Sequence, residues 1–152
     1  MKRWTPSGFE RGTDGPLVIV AAVDGSTTSM RAVAYAAGLA RRQSAELVVV
    51  FVATTSPMAT FIPAGGSALD QTLHEVADDL RRQIKAGTAR SGIKARFIEA
   101  RGDAYTEISK ICKMVLADAV VVGASTSTGH RLVGSLGVRL VRAGRWPVTV
   151  VP

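Results

Sequence analysis

The residues best suited to chemistry lie between positions 123 and 135, where the chain reads GASTSTGHRLVGS. Small residues let a ligand approach the main chain, and free backbone N–H groups at the helix start that Gly134-Ser135 marks can hold an anion. Ser125, Thr126, Ser127 and Thr128 add hydroxyl donors, and His130 and Arg131 add positive charge beside a phosphate. A second candidate is Asp24, which ends the apolar run LVIVAAV and precedes Gly25-Ser26. Each feature also has an ordinary reading. Gly and Ser commonly cap helices, and Asp-Gly-Ser closes a turn and caps the helix after it.

Several other chemistries lack their residues. There is no GxxxxGK[ST], no GxGxxG after the first strand and no GxSxG elbow, which removes P-loop, dinucleotide-binding and serine-hydrolase readings. A receiver domain needs clustered carboxylates and a lysine near its fifth strand, but Asp24 stands alone and PVTVV has no lysine. The single cysteine, Cys112, sits among apolar neighbours and reads as a packed small hydrophobe. His74 falls on an exposed-looking helix and is given no catalytic role. No general base or metal-ligand set stands beside the 123–135 loop, so vigorous catalysis is not expected and any hydrolysis of a bound phosphate compound would be slow and incidental.

Positioning these residues requires a regular alternation of strands and helices. Leu17–Val23 is a continuous Val/Ile run of the kind buried on both faces of a sheet. From Thr27 to Arg42, Met30, Val33, Ala34, Ala37 and Ala40 recur at helical spacing. ELVVVFVA (46–53) is a second buried strand. Residues 54–66 are turn-rich and form a natural lid or docking loop. A long amphipathic helix follows through Leu69, Leu73, Val76, Ala77, Leu80 and Ile84, ending near Gly87 or Gly92. KARFIEA (94–100) alternates weakly as a third strand, Thr106–Leu116 is a third helix, and Ala119–Val122 a fourth strand. Ser135–Ala143 is a last helix capped by Gly144, and PVTVV a last strand. The β-α repeat predicts an α/β fold, a parallel sheet with helices on both faces. Ligands of such sheets sit at the strands' carboxyl ends, where Asp24 and Gly123 fall.

The 152 residues, 47% hydrophobic and 20% charged, suit one soluble domain over 16–152, preceded by a loosely ordered extension over 1–15. That extension has no apolar stretch to serve as signal or membrane span, and one cysteine suits a reducing compartment, so a cytoplasmic location is expected. The net charge of +7 is uneven. Residues 81–101 carry seven basic side chains against Glu99 alone, and four arginines and no acid follow Asp118. No aromatic residues interleave with them and no helix-turn-helix or zinc pattern appears, which weighs against nucleic acid as a partner.

The stretch VIVAAVDGSTTSMRAVAYAAGLARRQSAELVVVFV, followed by GDAYTEI, ADAVVVGAS, GS and PVTVV, resembles the universal stress protein family across residues 17–151. The resemblance implies a Rossmann-like, adenine nucleotide α-hydrolase-like three-layer α/β/α sandwich, its five-stranded parallel sheet in the order 3-2-1-4-5. It also implies an adenine-nucleotide site, with ATP as the expected ligand and Mg²⁺ as its possible companion. Matched position by position, the adenine contacts fall on Ala22, Asp24 and Val52, and the motif's start on Val122 and Gly123. The phosphate-holding pair falls on Gly134 and Ser135; apart from the resemblance, the hydroxyls of Ser125 and Thr126 and the imidazole of His130 are the expected loop contacts.

The family's nucleotide-binding branch carries Gly-x-x-Gly, nine residues, then Gly-Ser or Gly-Thr. Here Thr126 stands at the second glycine, and the loop is two residues shorter. A shorter loop changes how many N–H groups converge on a triphosphate, and a Cβ at 126 obstructs close approach. The chain is therefore read as a stress-response or signalling module that takes ATP or another adenine nucleotide. The alternative is a nucleotide-free module that docks a protein partner, and a weaker third reading is nucleic-acid binding through the basic region. In the implied strand order PVTVV lies at an edge, and homodimerisation through that apolar edge is expected.

Overall fold

The computed structural model describes residues 15–54, 65–125 and 135–152. The elements run β1 (Val18–Val23), α1 (Thr27–Gln43), β2 (Glu46–Ala53), α2 (Gly65–Ser91), β3 (Ala95–Arg101), α3 (Ala104–Met114), β4 (Ala119–Gly123), α4 (Ser135–Ala143) and β5 (Val148–Val151). The five strands form one parallel sheet in the order β3-β2-β1-β4-β5. The chain steps one way through β1, β2 and β3, then crosses back to place β4 on the other side of β1. A crevice between β1 and β4 follows from that reversal.

Alternate residues of the strands face opposite layers, as the pleat requires. Ile19, Ala21, Val23, Leu47, Val49 and Phe51 pack with Ala32, Ala36 and Ala40 of α1 and Ala77, Leu80 and Ile84 of α2. Val20, Ala22, Val48, Val50, Val120 and Val122 pack with Ile108, Ile111 and Cys112 of α3 and Leu140 of α4. Trp146 packs at the margin of this second cluster. Because both faces of β1, β2 and β4 are covered, their near-continuous Val/Ile/Ala runs carry little alternation in the sequence.

Some boundaries and faces differ from those expected. The buried stripe of α1 is Ala32, Val33, Ala36 and Ala40, while Ala34 is exposed. Alanine occurs all round this helix, so its spacing alone does not select a face. The third helix starts at Ala104 and not Thr106, because Asp103 accepts the Thr106 N–H at 2.9 Å and caps it. It ends at Met114, and Leu116 follows in the left-handed region at φ 55°. The third strand runs one residue further than expected, to Arg101.

Candidate functional site

The chain leaves β1 through a tightly bonded turn. Asp24 Oδ1 accepts the Ser26 N–H at 2.8 Å, and Gly25 takes φ 87°, a conformation that favours glycine. Ser26 then caps α1, its hydroxyl accepting the Ser29 N–H at 3.2 Å, while the Ser29 hydroxyl accepts the Asp24 N–H at 3.2 Å. The Asp24 carboxylate stays exposed at the rim. Partial burial pushes its pKa up, but hydrogen bonds from Ser26 and Ser29 and from backbone N–H groups outweigh this and hold it below the usual aspartate range. Asp24 is therefore an ionised acceptor at neutral pH.

The exit of β4 is built by contact. A Cβ added to Gly123 would lie 2.5 Å from the Thr28 carbonyl carbon, 2.6 Å from the Ser29 nitrogen and 2.7 Å from the Thr28 oxygen. The first turn of α1 thus presses directly on this glycine. The Thr28 hydroxyl fastens the contact by donating to the Ala124 carbonyl at 2.7 Å, and Thr28 and Ser29 are buried. Gly123 therefore has a packing reason of its own, apart from any ligand.

Between the two exits opens a cleft of about 530 Å³. Ala22, Val50, Val52 and Val122 form its apolar floor on the sheet face that carries α3 and α4. Asp24, Ser26, Thr28 and Thr54 supply polar groups, Ala104 and Ile108 come from α3, and Leu136 and Gly137 from the start of α4. Of the expected site residues, Ala22, Asp24, Val52, Val122, Gly123 and Ser125 are brought together here. Ser135 opens α4. Thr126, His130 and Gly134 lie outside the described residues, as does most of the 54–66 loop.

Thr28, Thr54, Ala104, Ile108, Leu136 and Gly137 were not anticipated as lining residues. Thr28 carried a readable signal, because it sits two positions after the Ser26 cap. The others enter from elements distant in sequence. An apolar floor with an ionised acceptor at its rim suits a largely apolar group that carries a hydrogen-bond donor. Among the described residues no group of three or more His, Cys, Asp or Glu side chains is placed to hold a metal. Cys112 is fully buried, which pushes its thiol up to about 12 and removes it as a nucleophile at neutral pH.

The basic stretch 81–101 is partly neutralised by its own Glu99 and by acids from outside it. Arg81 pairs with Asp78 and Glu99, Arg82 with Asp79, Lys94 and Arg96 with Glu46, and Arg101 with Asp70. His74 lies exposed beside Glu99, 3.3 Å away, and away from the cleft lining. No helix among the described residues is long and apolar enough to cross a membrane.

Residues 17–152 match the family model described as "Universal stress protein family". Universal stress protein MJ0531 of Methanocaldococcus jannaschii is 29% identical over 137 residues, covering 88% of this chain and 80% of that protein. The structure of universal stress protein UspA from Lactobacillus plantarum superposes with a TM-score of 0.76 at 26% identity, over 89% of this chain and 97% of that one. A universal stress protein solved in complex with cAMP matches in fold with a TM-score of 0.65 at 21% identity, over 90% and 96%. The crevice at the β1/β4 switch point, the 3-2-1-4-5 sheet and these matches agree, and the chain belongs to the universal stress protein family.

Proposed function

We propose that this protein is a stress-response or signalling module that binds an adenine nucleotide in the cleft between β1 and β4. The observation that carries this reading is the exposed, ionised Asp24 at the rim of an apolar slot formed by Ala22, Val50, Val52 and Val122. A purine ring stacks into such a slot, and the adenine amine donates to the carboxylate, whereas guanine presents a carbonyl oxygen at the same edge. The solved relative that holds cAMP lends support. Any accompanying Mg²⁺ would be carried on the nucleotide's phosphates, because the lining side chains include one carboxylate, Asp24.

The working unit in this proposal is a cytoplasmic homodimer joined through β5. Val148–Val151 ends the sheet, is half-buried and carries no charge. The opposite edge, β3, reads ARFIEAR and holds Arg96 and Arg101 in ion pairs. Charged edges resist strand addition and apolar ones invite it.

A second reading, a nucleotide-free interaction module, is favoured by one observation: the packing of Gly123 against α1 accounts for that glycine without a ligand. The experiment that separates the readings starts from protein purified without added nucleotide. After denaturation, released adenine nucleotide is sought by absorbance and mass. Refolded or freshly prepared protein is then titrated with ATP, cAMP and a short DNA duplex by calorimetry. Heat with ATP or cAMP supports the proposal. A folded dimer that binds neither supports the interaction module, and a salt-sensitive signal with the duplex alone would overturn both.

A further inference from the structure

The starts of α3 and α4 form one wall of the cleft, contributing Ala104 and Ile108 from the first and Leu136 and Gly137 from the second. One side-chain cluster joins them. Arg139 Nη1 donates to Asp103 Oδ1 at 2.8 Å, and the guanidinium carbon lies 4.5 Å over the Tyr105 ring. Helical side chains lean toward the helix N-terminus, so from its place one turn into α4 Arg139 reaches back to Asp103 and Tyr105 at the start of α3. The second Asp103 oxygen accepts from the Thr106 N–H at 2.9 Å and its hydroxyl at 2.8 Å. Asp103 thus divides its two oxygens, one holding the first turn of α3 and the other holding α4.

We infer that the Asp103–Arg139–Tyr105 cluster is a clasp that sets the separation between the starts of α3 and α4, making Arg139 and Asp103 positioning residues for the cleft. The Arg139 hydrogen bond, followed by those from Thr106, brings the Asp103 carboxyl down to about 2, so it is a carboxylate at neutral pH. Both side chains are half exposed, and exposed pairs add little to global stability. The effect is local: a wall held in place before the ligand arrives loses less freedom on binding. That use of the clasp rests on the nucleotide reading, whereas its presence in the free protein does not.

The test therefore has two independent readouts. In the ligand-free protein, hydrogen exchange is followed in wild type, Arg139→Gln, Asp103→Asn and the double variant; asparagine retains the cap on α3. Amides of α4 from Arg139 to Ala143 are expected to exchange about twofold to fivefold faster in each single variant, and no faster in the double than in either single. Amides of β1 and β2 stay at the wild-type rate, and Arg139→Lys recovers part of the protection. Wild-type rates in both single variants, or effects that add in the double, overturn the clasp. Calorimetry with ATP forms the second arm. Equal two- to fivefold losses in both single variants extend the clasp to binding, while tighter ATP binding by Asp103→Asn would make Arg139 a phosphate contact and overturn the positioning role. Absence of ATP binding by wild type would remove the nucleotide reading and leave the exchange result to decide the clasp.

Discussion

The exits of β1 and β4 lie side by side, and both are marked in the sequence by a short polar or small-residue motif. They are built differently. At β1 the carboxylate of Asp24 and the hydroxyls of Ser26 and Ser29 make a hydrogen-bonded turn whose acceptor remains exposed. At β4 the glycine is held by backbone pressed against it, and the Thr28 hydroxyl closes the seam. The comparison teaches that adjacent motif residues can serve different ends. Asp24 retains a group to offer a ligand, whereas Gly123 secures the geometry that places Asp24 opposite β4.

Replacing Gly123 with alanine should break the second exit most severely. The added methyl meets backbone of α1 and has no flexible side chain to displace, so a loss of about 3 kcal/mol is expected in denaturant unfolding. Asp24→Ala should act in the opposite manner. It is expected to weaken adenine-nucleotide affinity by about tenfold or more in calorimetry, roughly 1.4 kcal/mol, while shifting the thermal midpoint little. Thr28→Val removes the bond to Ala124 but keeps the shape, leaving one carbonyl without its donor; about 1–2 kcal/mol of stability should be lost in chemical denaturation. Ser26→Ala should cost about 1 kcal/mol through the lost cap of α1, and Ser26→Gly only a few tenths, a difference that thermal melts of the two variants would resolve.

The smallest expected effect is in pH. The Asp24 pKa is lowered in the folded state, so its carboxylate contributes stability above the ordinary aspartate value of about 4. That contribution disappears as pH falls through the lower folded-state value. Asp24→Asn should therefore flatten this acidic limb of the stability profile and leave the profile near neutrality unchanged in shape. A profile of identical slope in both proteins would show that the turn does not depend on the charge.

Much of this architecture was legible because buried parallel strands are written as Val/Ile runs. Glu46–Ala53 and Ser135–Ala143 have the bounds their residues suggest. The inward face of α1 was not legible, since alanines at 32, 34, 36, 37 and 40 offer several equivalent stripes and only docking against the sheet selects Ala32, Ala36 and Ala40. The start of α3 was missed because a capping aspartate looks like a loop residue until its bond to Thr106 is seen. In the cleft, the resemblance pointed to Ala22, Asp24, Val52, Val122 and Gly123, which do line it together with Ser125. It could not point to Ile108 or Leu136, which reach the cleft from the helical layer formed by α3 and α4. The Asp103–Arg139 pair joins two surface charges 36 residues apart, a relation with no periodic signature.

The account's central claim is that Asp24 reads an adenine base in the β1/β4 cleft. Its most direct test is a calorimetric comparison of wild type and Asp24→Asn, each titrated with ATP and with GTP, alongside a melt showing that both proteins are folded. The account predicts that wild type binds ATP more tightly than GTP and that Asp24→Asn loses most of that preference, because asparagine offers both a donor and an acceptor to the base edge. Equal affinities of wild type for the two nucleotides, or a preference for ATP unchanged by the substitution, would contradict it.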